Sequence, residues 1–259
     1  MPELPDLQVF SKNLNKELQG DSIKEIKVFN SNKLNVPVAS LKKALEGEQV
    51  KTIIREGKEL HIIMETGTVL GLHLMLNGQL FLSKDKTERK HVILSIFFTD
   101  DKVLDLADYQ GLAIPTLNPQ SNAAPDALST ALSFDYLKKR FSEIRGSVKN
   151  VLLDQKIMRG IGNAYADEIL WDARIAPLSA ANKIPVEIIK VLERSIKKVL
   201  KDAEKQILSS HPDIISGEVR DFLLIHNAKN PQSPSGSVIK QTVTGSRKTY
   251  YTDEQILYK

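Results

Sequence analysis

The chain is predicted to be an α+β protein: an N-terminal β-sandwich or barrel with flanking helices, then a helical C-terminal domain that closes with a β-hairpin. Three observations predict this. Between residues 22 and 106 the apolar residues fall in short runs broken by turn signals such as Thr66-Gly67, Asn77-Gly78 and Asp100-Asp101. From residue 134 onward the apolar spacing changes to a helical period. A Pro-, Asn-, Ser- and Ala-rich stretch at 115–129 lies between the two patterns and reads as an interdomain linker.

Taken in order, Leu7, Phe10, Leu14 and Leu18 recur at helical spacing over 5–18, and Gly20 follows as a stop. Strands are expected at 22–29, 50–55, 60–64, 69–74, 79–82, 92–98 and 103–106. A short helix at 41–45 interrupts them, with Ser40 as its N-cap and Gly47 as its stop. Helices are expected at 134–144, 148–154, 163–173 and 186–209. In the last of these Leu192, Ile196, Val199, Ala203 and Ile207 form one apolar stripe. The segment 235–252 reads as a hairpin turning at Thr244-Gly245-Ser246.

The chain has 259 residues, enough for one large domain or two modest ones. It has no cysteine, so neither a disulfide nor a cysteine-held zinc is available. His61, His73, His91, His211 and His226 do not fall at zinc-site spacing, and no metal or other cofactor is expected. No apolar run approaches the ~18 residues of a membrane span, and no secretory signal opens the chain, so a cytoplasmic protein without membrane association is expected. Residues 1–134 hold 15 Lys+Arg against 17 Asp+Glu, a net of −2; residues 135–259 hold 21 against 15, a net of +6. The positive surplus suits a polyanionic partner, and equally a solvated lysine-rich helix surface.

Two segments carry chemistry. The chain begins Met1-Pro2-Glu3-Leu4-Pro5-Asp6. Removal of Met1 would leave Pro2 with a free secondary amine, and an α-amino group, with a pKa near ~8, is partly neutral at physiological pH. Such an amine can attack a sugar C1′, displace the base and form an iminium, with the Glu3 carboxylate moving protons. Alone, the segment reads more readily as a rigid lead-in to the first helix. In the second segment, Gly160-Ile161-Gly162 lets the backbone turn tightly and Asn163 begins a helix whose free N–H groups favour an anion, with Lys156 at the other edge of the turn. Spacing alone also fits a plain helical hairpin.

Together, Met1 to Asp6 and the run from Leu152 through Asn163-Ala164-Tyr165-Ala166-Asp167-Glu168 and Trp171-Asp172-Ala173-Arg174-Ile175-Ala176-Pro177 resemble the formamidopyrimidine-DNA glycosylase / endonuclease VIII family. The resemblance spans nearly the whole chain. It implies an N-terminal β-sandwich catalytic domain at 1–115, a linker at 116–132, a helix–two-turn–helix DNA-binding domain at 133–228 and a finger hairpin at 229–259. Pro2 would be the nucleophile and Glu3 the acid/base. Lys58, in Arg55-Glu56-Gly57-Lys58-Glu59-Leu60, would join the catalytic group as a phosphate-binding lysine. His73, in His73-Leu74-Met75-Leu76-Asn77-Gly78, would contact backbone, and Leu76 would enter the gap left by a flipped base.

The resemblance also has departures. Asp6 stands where the family has glutamate. Gln110 and Leu112, in Asp108-Tyr109-Gln110-Gly111-Leu112, replace an arginine and a phenylalanine, so bidentate reading of the base opposite the lesion is lost. Residues 209–227 are short for the loop that covers oxidised purines in some relatives. The two cysteine-pair positions of the family's zinc finger are filled by Pro231-Gln232-Ser233-Pro234-Ser235-Gly236 and Thr252-Asp253-Glu254-Gln255. A zincless finger results, expected to be held by packing of Val238, Val243, Tyr250 and Tyr251, with Arg247 on the phosphate of the flipped nucleotide. Lys156, Gly162 and Asn163 would bind DNA beside it. The implied protein is a monomeric bifunctional DNA glycosylase and abasic-site lyase of base excision repair, acting on damaged double-stranded DNA and nucleoid-associated when bound. The alternative is a non-catalytic binder of abasic or distorted DNA on the same fold.

Overall fold

The computed structural model describes residues 1–84 and 89–259. They form two compact units, Met1–Ser121 with Ile207–Glu218, and Asn122–Gln206 with Val219–Lys259. The first unit opens with α1 (Leu4–Leu18), on which Leu7, Phe10, Leu14 and Leu18 are all buried as their spacing predicts. Glu3 is its N-cap and forms a capping box with Asp6, and Pro5 lies in the first turn, where no intrahelical N–H is needed.

The strands β1 (Ile23–Val28), β2 (Val50–Glu56), β3 (Glu59–Met64), β4 (Val69–His73), β5 (Gln79–Ser83), β6 (Val92–Phe98), β7 (Val103–Ala107) and β8 (Ile114–Leu117) follow. Among the described residues they pair into two four-stranded antiparallel sheets, ordered β1-β6-β7-β5 and β2-β3-β4-β8. Both sheets feed a single apolar cluster: Ile26, Ile96 and Leu104 from one, Ile53, Ile62 and Leu70 from the other, with Phe10 of α1. This is the expected β-sandwich. A register shift between Ile23 and Glu25 lets two residues three apart on β1, Ile23 and Ile26, both face the core.

Three expectations need correction here. The short helix α2 spans Val38–Leu45 and is capped by Pro37, not Ser40; proline's fixed φ suits a helix start, and Leu41 and Leu45 anchor the helix one turn apart. The supposed linker begins with a strand, since β8 pairs with β4 along Leu70↔Leu117 and Leu72↔Pro115. Pro115 disguised it, and is tolerated because β8 is an edge strand. The rest of that stretch is packed: Ala124, Ala127 and Leu132 are buried, and Ala127 N–H donates to the Arg159 carbonyl.

The second unit carries α3 (Phe134–Glu143), α4 (Val148–Leu153), α5 (Asn163–Asp172), most of α6 (Val186–Ser210), and the hairpin strands β9 (Lys240–Thr244) and β10 (Arg247–Tyr251). Ser133 and Ser147 cap α3 and α4 by accepting from Tyr136 and Asn150 N–H. On α6 the buried stripe runs Leu192, Ile196, Leu200, Ala203 and Ile207; Leu200 takes the place expected for Val199, which is half-buried. Ile207–Glu218 clusters with the first unit although it lies within the expected helical domain. Ile214 and Ile215 pack on that unit's core, Asn13 Nδ2 donates to the Ile214 carbonyl at 2.8 Å, and Leu80 N–H donates to Ser216 Oγ at 3.0 Å. Among the described residues, no helix is long and apolar enough to cross a membrane.

Candidate functional site

In the first unit, Pro2 and Glu3 are buried at the start of α1. Glu3 N–H donates to Asp6 Oδ2 at 2.9 Å, and Asp6 is fully buried. The shorter Asp6 therefore fixes the backbone that carries Glu3. Pro2 lines a cavity of about 510 Å³ whose wall also includes Leu76, Asn77, Arg89, His91, Tyr109 and Glu218. The Met1 amino group forms an ion pair with Glu218.

Two loops shape that cavity. After β4, His73 Nδ1 accepts Met75 N–H at 3.0 Å, and Met75 takes a left-handed conformation (φ 54°). Burial pushes the His73 imidazole below its ordinary pKa, Glu59 opposes this, and the Lys58 charge adds to it; the ring is held neutral, as an acceptor at Nδ1 requires. Lys58 lies in the Gly57-Lys58 turn between β2 and β3, with Gly57 at φ 60°, so the sequence places Lys58 on a turn rather than along a strand. Leu76 is 60% exposed at the tip of the His73–Gly78 loop.

In the second loop buried Asp108 organises the backbone, accepting Gln110 N–H at Oδ1 and both Leu112 and Ala113 N–H at Oδ2, all at 2.9 Å. Gly111 (φ 65°) makes that turn possible. Asn77 Nδ2 donates to Gln110 Oε1 at 2.7 Å, so Leu76 and Gln110, far apart in sequence, sit on linked loops. Leu112 is half-buried, whereas its neighbour Tyr109 is 64% exposed.

In the second unit, Gln155 staples the turn between α4 and α5. Its amide donates to the Leu153 and Ile161 carbonyls and its Oε1 accepts Gly160 N–H. Gly160 has φ 100°, Gly162 is the buried N-cap of α5, and Lys156 is exposed. Asn163 Nδ2 donates to the Lys248 carbonyl at 2.9 Å, joining the start of α5 to the hairpin. The hairpin turns on Gly245 (φ 53°) and Ser246 (φ 64°), the paired left-handed residues of a two-residue turn, and Arg247 follows, exposed.

What holds this hairpin differs from the expectation. Val238 and Val243 are 60% and 66% exposed, so they do not pack it. Tyr250 is buried and Tyr251 half-buried, and the anchoring is polar. Lys149 and Asp167, both buried, form an ion pair at 2.6 Å. Lys149 Nζ also donates to Thr249 Oγ1 at 2.8 Å, while Asp167 Oδ2 accepts Tyr250 N–H at 3.0 Å and bonds His226 Nδ1 at 2.7 Å. Removing one partner of a buried pair strands the other charge, at a cost of about 3–5 kcal/mol. Next to it, Glu168 accepts the N–H groups of Leu224, Ile225 and His226; burial pushes its carboxyl up and those donors pull it back.

A second polar node joins Ser233 and Ser235 to Thr252 and Glu254. Glu254 accepts from Trp171 Nε1 at 3.0 Å, Arg174 at 2.9 Å, Ser233 Oγ at 2.9 Å, Thr252 Oγ1 at 3.0 Å and Ser235 Oγ. The Ser235 and Trp171 bonds lead in holding its carboxyl down at about 2. Hydroxyls, an indole N–H and a guanidinium converge on one carboxylate.

Residues 1–113 match the formamidopyrimidine-DNA glycosylase N-terminal domain, and residues 123–211 match the formamidopyrimidine-DNA glycosylase H2TH domain. A formamidopyrimidine-DNA glycosylase of Chloroflexus aurantiacus is 30% identical over 266 residues, spanning 97% of this chain and 96% of that protein. The chain belongs to the formamidopyrimidine-DNA glycosylase family. The family's enzyme from Vibrio atlanticus is 28% identical over 265 residues, covering 97% of this chain and 98% of its own. The Lactococcus lactis Fpg, solved with DNA containing an abasic site, superposes with a TM-score of 0.88 at 25% identity, over 98% of this chain and 100% of that one. A MutM solved with carbocyclic 8-oxo-G containing DNA gives 0.88 at 26% identity, over 98% of this chain and 99% of that one.

Within this formamidopyrimidine-DNA glycosylase fold, sequence reasoning overlooked Tyr109, Glu218, Gln155, Asp167 and Glu254. Tyr109 had a usable signal, an aromatic residue in a polar loop. Asp167 and Glu254 had none, because key partners, Tyr250 and Trp171, lie 83 residues away.

Proposed function

We propose that this protein is a DNA glycosylase of base excision repair that also nicks the abasic strand, working through the amine of Pro2 once Met1 is removed. The neutral prolyl nitrogen attacks C1′ of the damaged nucleotide as the glycosidic bond breaks, and the base leaves with a proton supplied by Glu3. Opening of the sugar gives an iminium that acidifies C2′–H. Loss of that proton expels the 3′ phosphate, a second elimination expels the 5′ phosphate, and water releases the sugar fragment from Pro2.

The observation that carries this reading is that Pro2 lines one cavity with Leu76, so the nucleophile and the exposed apolar wedge belong to the same concavity. The partner is damaged double-stranded DNA. Leu76, Gln110 and Leu112 fill the gap left by the extruded nucleotide, His73 supports the loop, and Lys58 binds phosphate. Exposed Lys156 and Arg247 meet the backbone, and Gly162 and Asn163 offer it the N-terminus of α5.

Borohydride trapping on duplexes carrying an abasic site, an oxidised pyrimidine or an oxidised purine tests the reading. A covalent adduct is expected, lost in Pro2→Gly and in an N-terminally blocked form. Tight abasic-site binding with no adduct on any duplex would sink it in favour of the non-catalytic binder.

A further inference from the structure

We infer that Glu218 is the counter-ion of the catalytic amine: in the processed protein its carboxylate pairs with the Pro2 ammonium, accepts the proton that frees the nitrogen for attack, and then faces the iminium. The inference rests on Pro2 being the nucleophile and adds a positioning residue to it.

Glu218 and Pro2 line the same cavity, and Glu218 pairs with the amino group of Met1. Consecutive backbone nitrogens are three bonds apart, no more than about 3.7 Å. When Met1 leaves, the positive charge moves that short distance to Pro2, within the swing of a glutamate side chain. The segment bearing Glu218 is fixed in the first unit through Ile214, Ile215 and the Leu80–Ser216 hydrogen bond, and Gly217 (φ 91°) turns the chain into Glu218.

Other charges around the amine have identifiable work. Asp108 takes three backbone N–H groups. Arg89 lies 3.3 Å from Asp105, which also takes the Ser95 hydroxyl. Glu3 is engaged with Asp6 at the helix cap, and Lys90 and His91 also line the cavity. The proton balance is simple. The ammonium gives one proton to Glu218, the carbon–nitrogen bond forms as the base departs, the remaining N–H proton passes to the ring oxygen as the sugar opens, and Glu218 returns its proton to solvent, so that a carboxylate again opposes a positive nitrogen.

The test compares processed wild type, Glu218→Gln and Glu218→Asp. In the DNA-free protein the 15N signal of Pro2 is titrated; Glu218→Gln is expected to lower its midpoint by about one pH unit, with Glu218→Asp restoring most of it. On abasic duplex the acid limb of borohydride trapping should move down with that midpoint, and the plateau rate should fall about tenfold. An unchanged midpoint overturns the inference. A shifted midpoint in a protein whose wild type traps no DNA supports the pairing while overturning the lyase reading.

Discussion

A β-carbon at Gly78 would lie 2.3 Å from the Leu74 carbonyl oxygen, the same oxygen that accepts Gly78 N–H. The turn that presents Leu76 therefore leaves no room for a single methyl group. Gly78→Ala should cost about 1–3 kcal/mol in thermal or denaturant unfolding and weaken binding to abasic duplex. Leu76→Ala, which truncates an exposed side chain, should weaken binding with stability changed by no more than about 0.5 kcal/mol. A Gly78→Ala protein that melts and binds like its parent would show that the loop has slack. The family resemblance of the segment His73–Gly78 implied Leu76 as the wedge, and its side chain is exposed rather than packed in the core. Tyr109, 64% exposed on the neighbouring loop, was overlooked although an aromatic residue in a polar loop marked it.

The hairpin of β9 and β10 shows what an element's sequence does and does not reveal. Gly245 and Ser246 announced its turn, because few residue pairs accept two left-handed conformations. Its attachment was misjudged: Val238 and Val243 look like packing residues, yet they face solvent while Lys149, Asp167 and Glu254 hold the hairpin. Polar anchors of this kind depend on partners distant in sequence, so no local pattern signals them. Glu254 makes the anchoring titratable. Its folded carboxyl is depressed from 4.5 to about 2, so its contribution is complete above 4.5 and is lost as pH falls toward 2. Trp171, the only tryptophan, donates to that carboxylate and reports on it. Its fluorescence should hold steady through pH 4.5 and change only nearer 2, and Glu254→Gln should show the acid-form emission at neutral pH. A midpoint at 4.5 would mean that the node does not hold the carboxylate.

At the scale of the whole molecule the two halves were legible from the shift in apolar period, and the division falls at Ser121 and Asn122, inside the expected linker. The return of Ile207–Glu218 to the first unit was not legible, because Ile214 and Ile215 carry no local mark of what they pack against. Charge is uneven along the chain, −2 over residues 1–134 and +6 over 135–259. Binding to duplex DNA should accordingly weaken as salt rises, and Lys156→Ala and Arg247→Ala should each reduce the log–log salt slope by about 1. Exposed Lys201 on α6 serves as the control, and equal slopes for all three variants would remove Lys156 and Arg247 from the interface. The node around Glu254 has one more consequence. Peroxide converts zinc-binding thiolates to sulfenic acids and frees the metal, whereas serine, threonine and glutamate offer it nothing comparable to oxidise. With no cysteine anywhere in the chain, no thiol in the hairpin's anchorage is open to that oxidation.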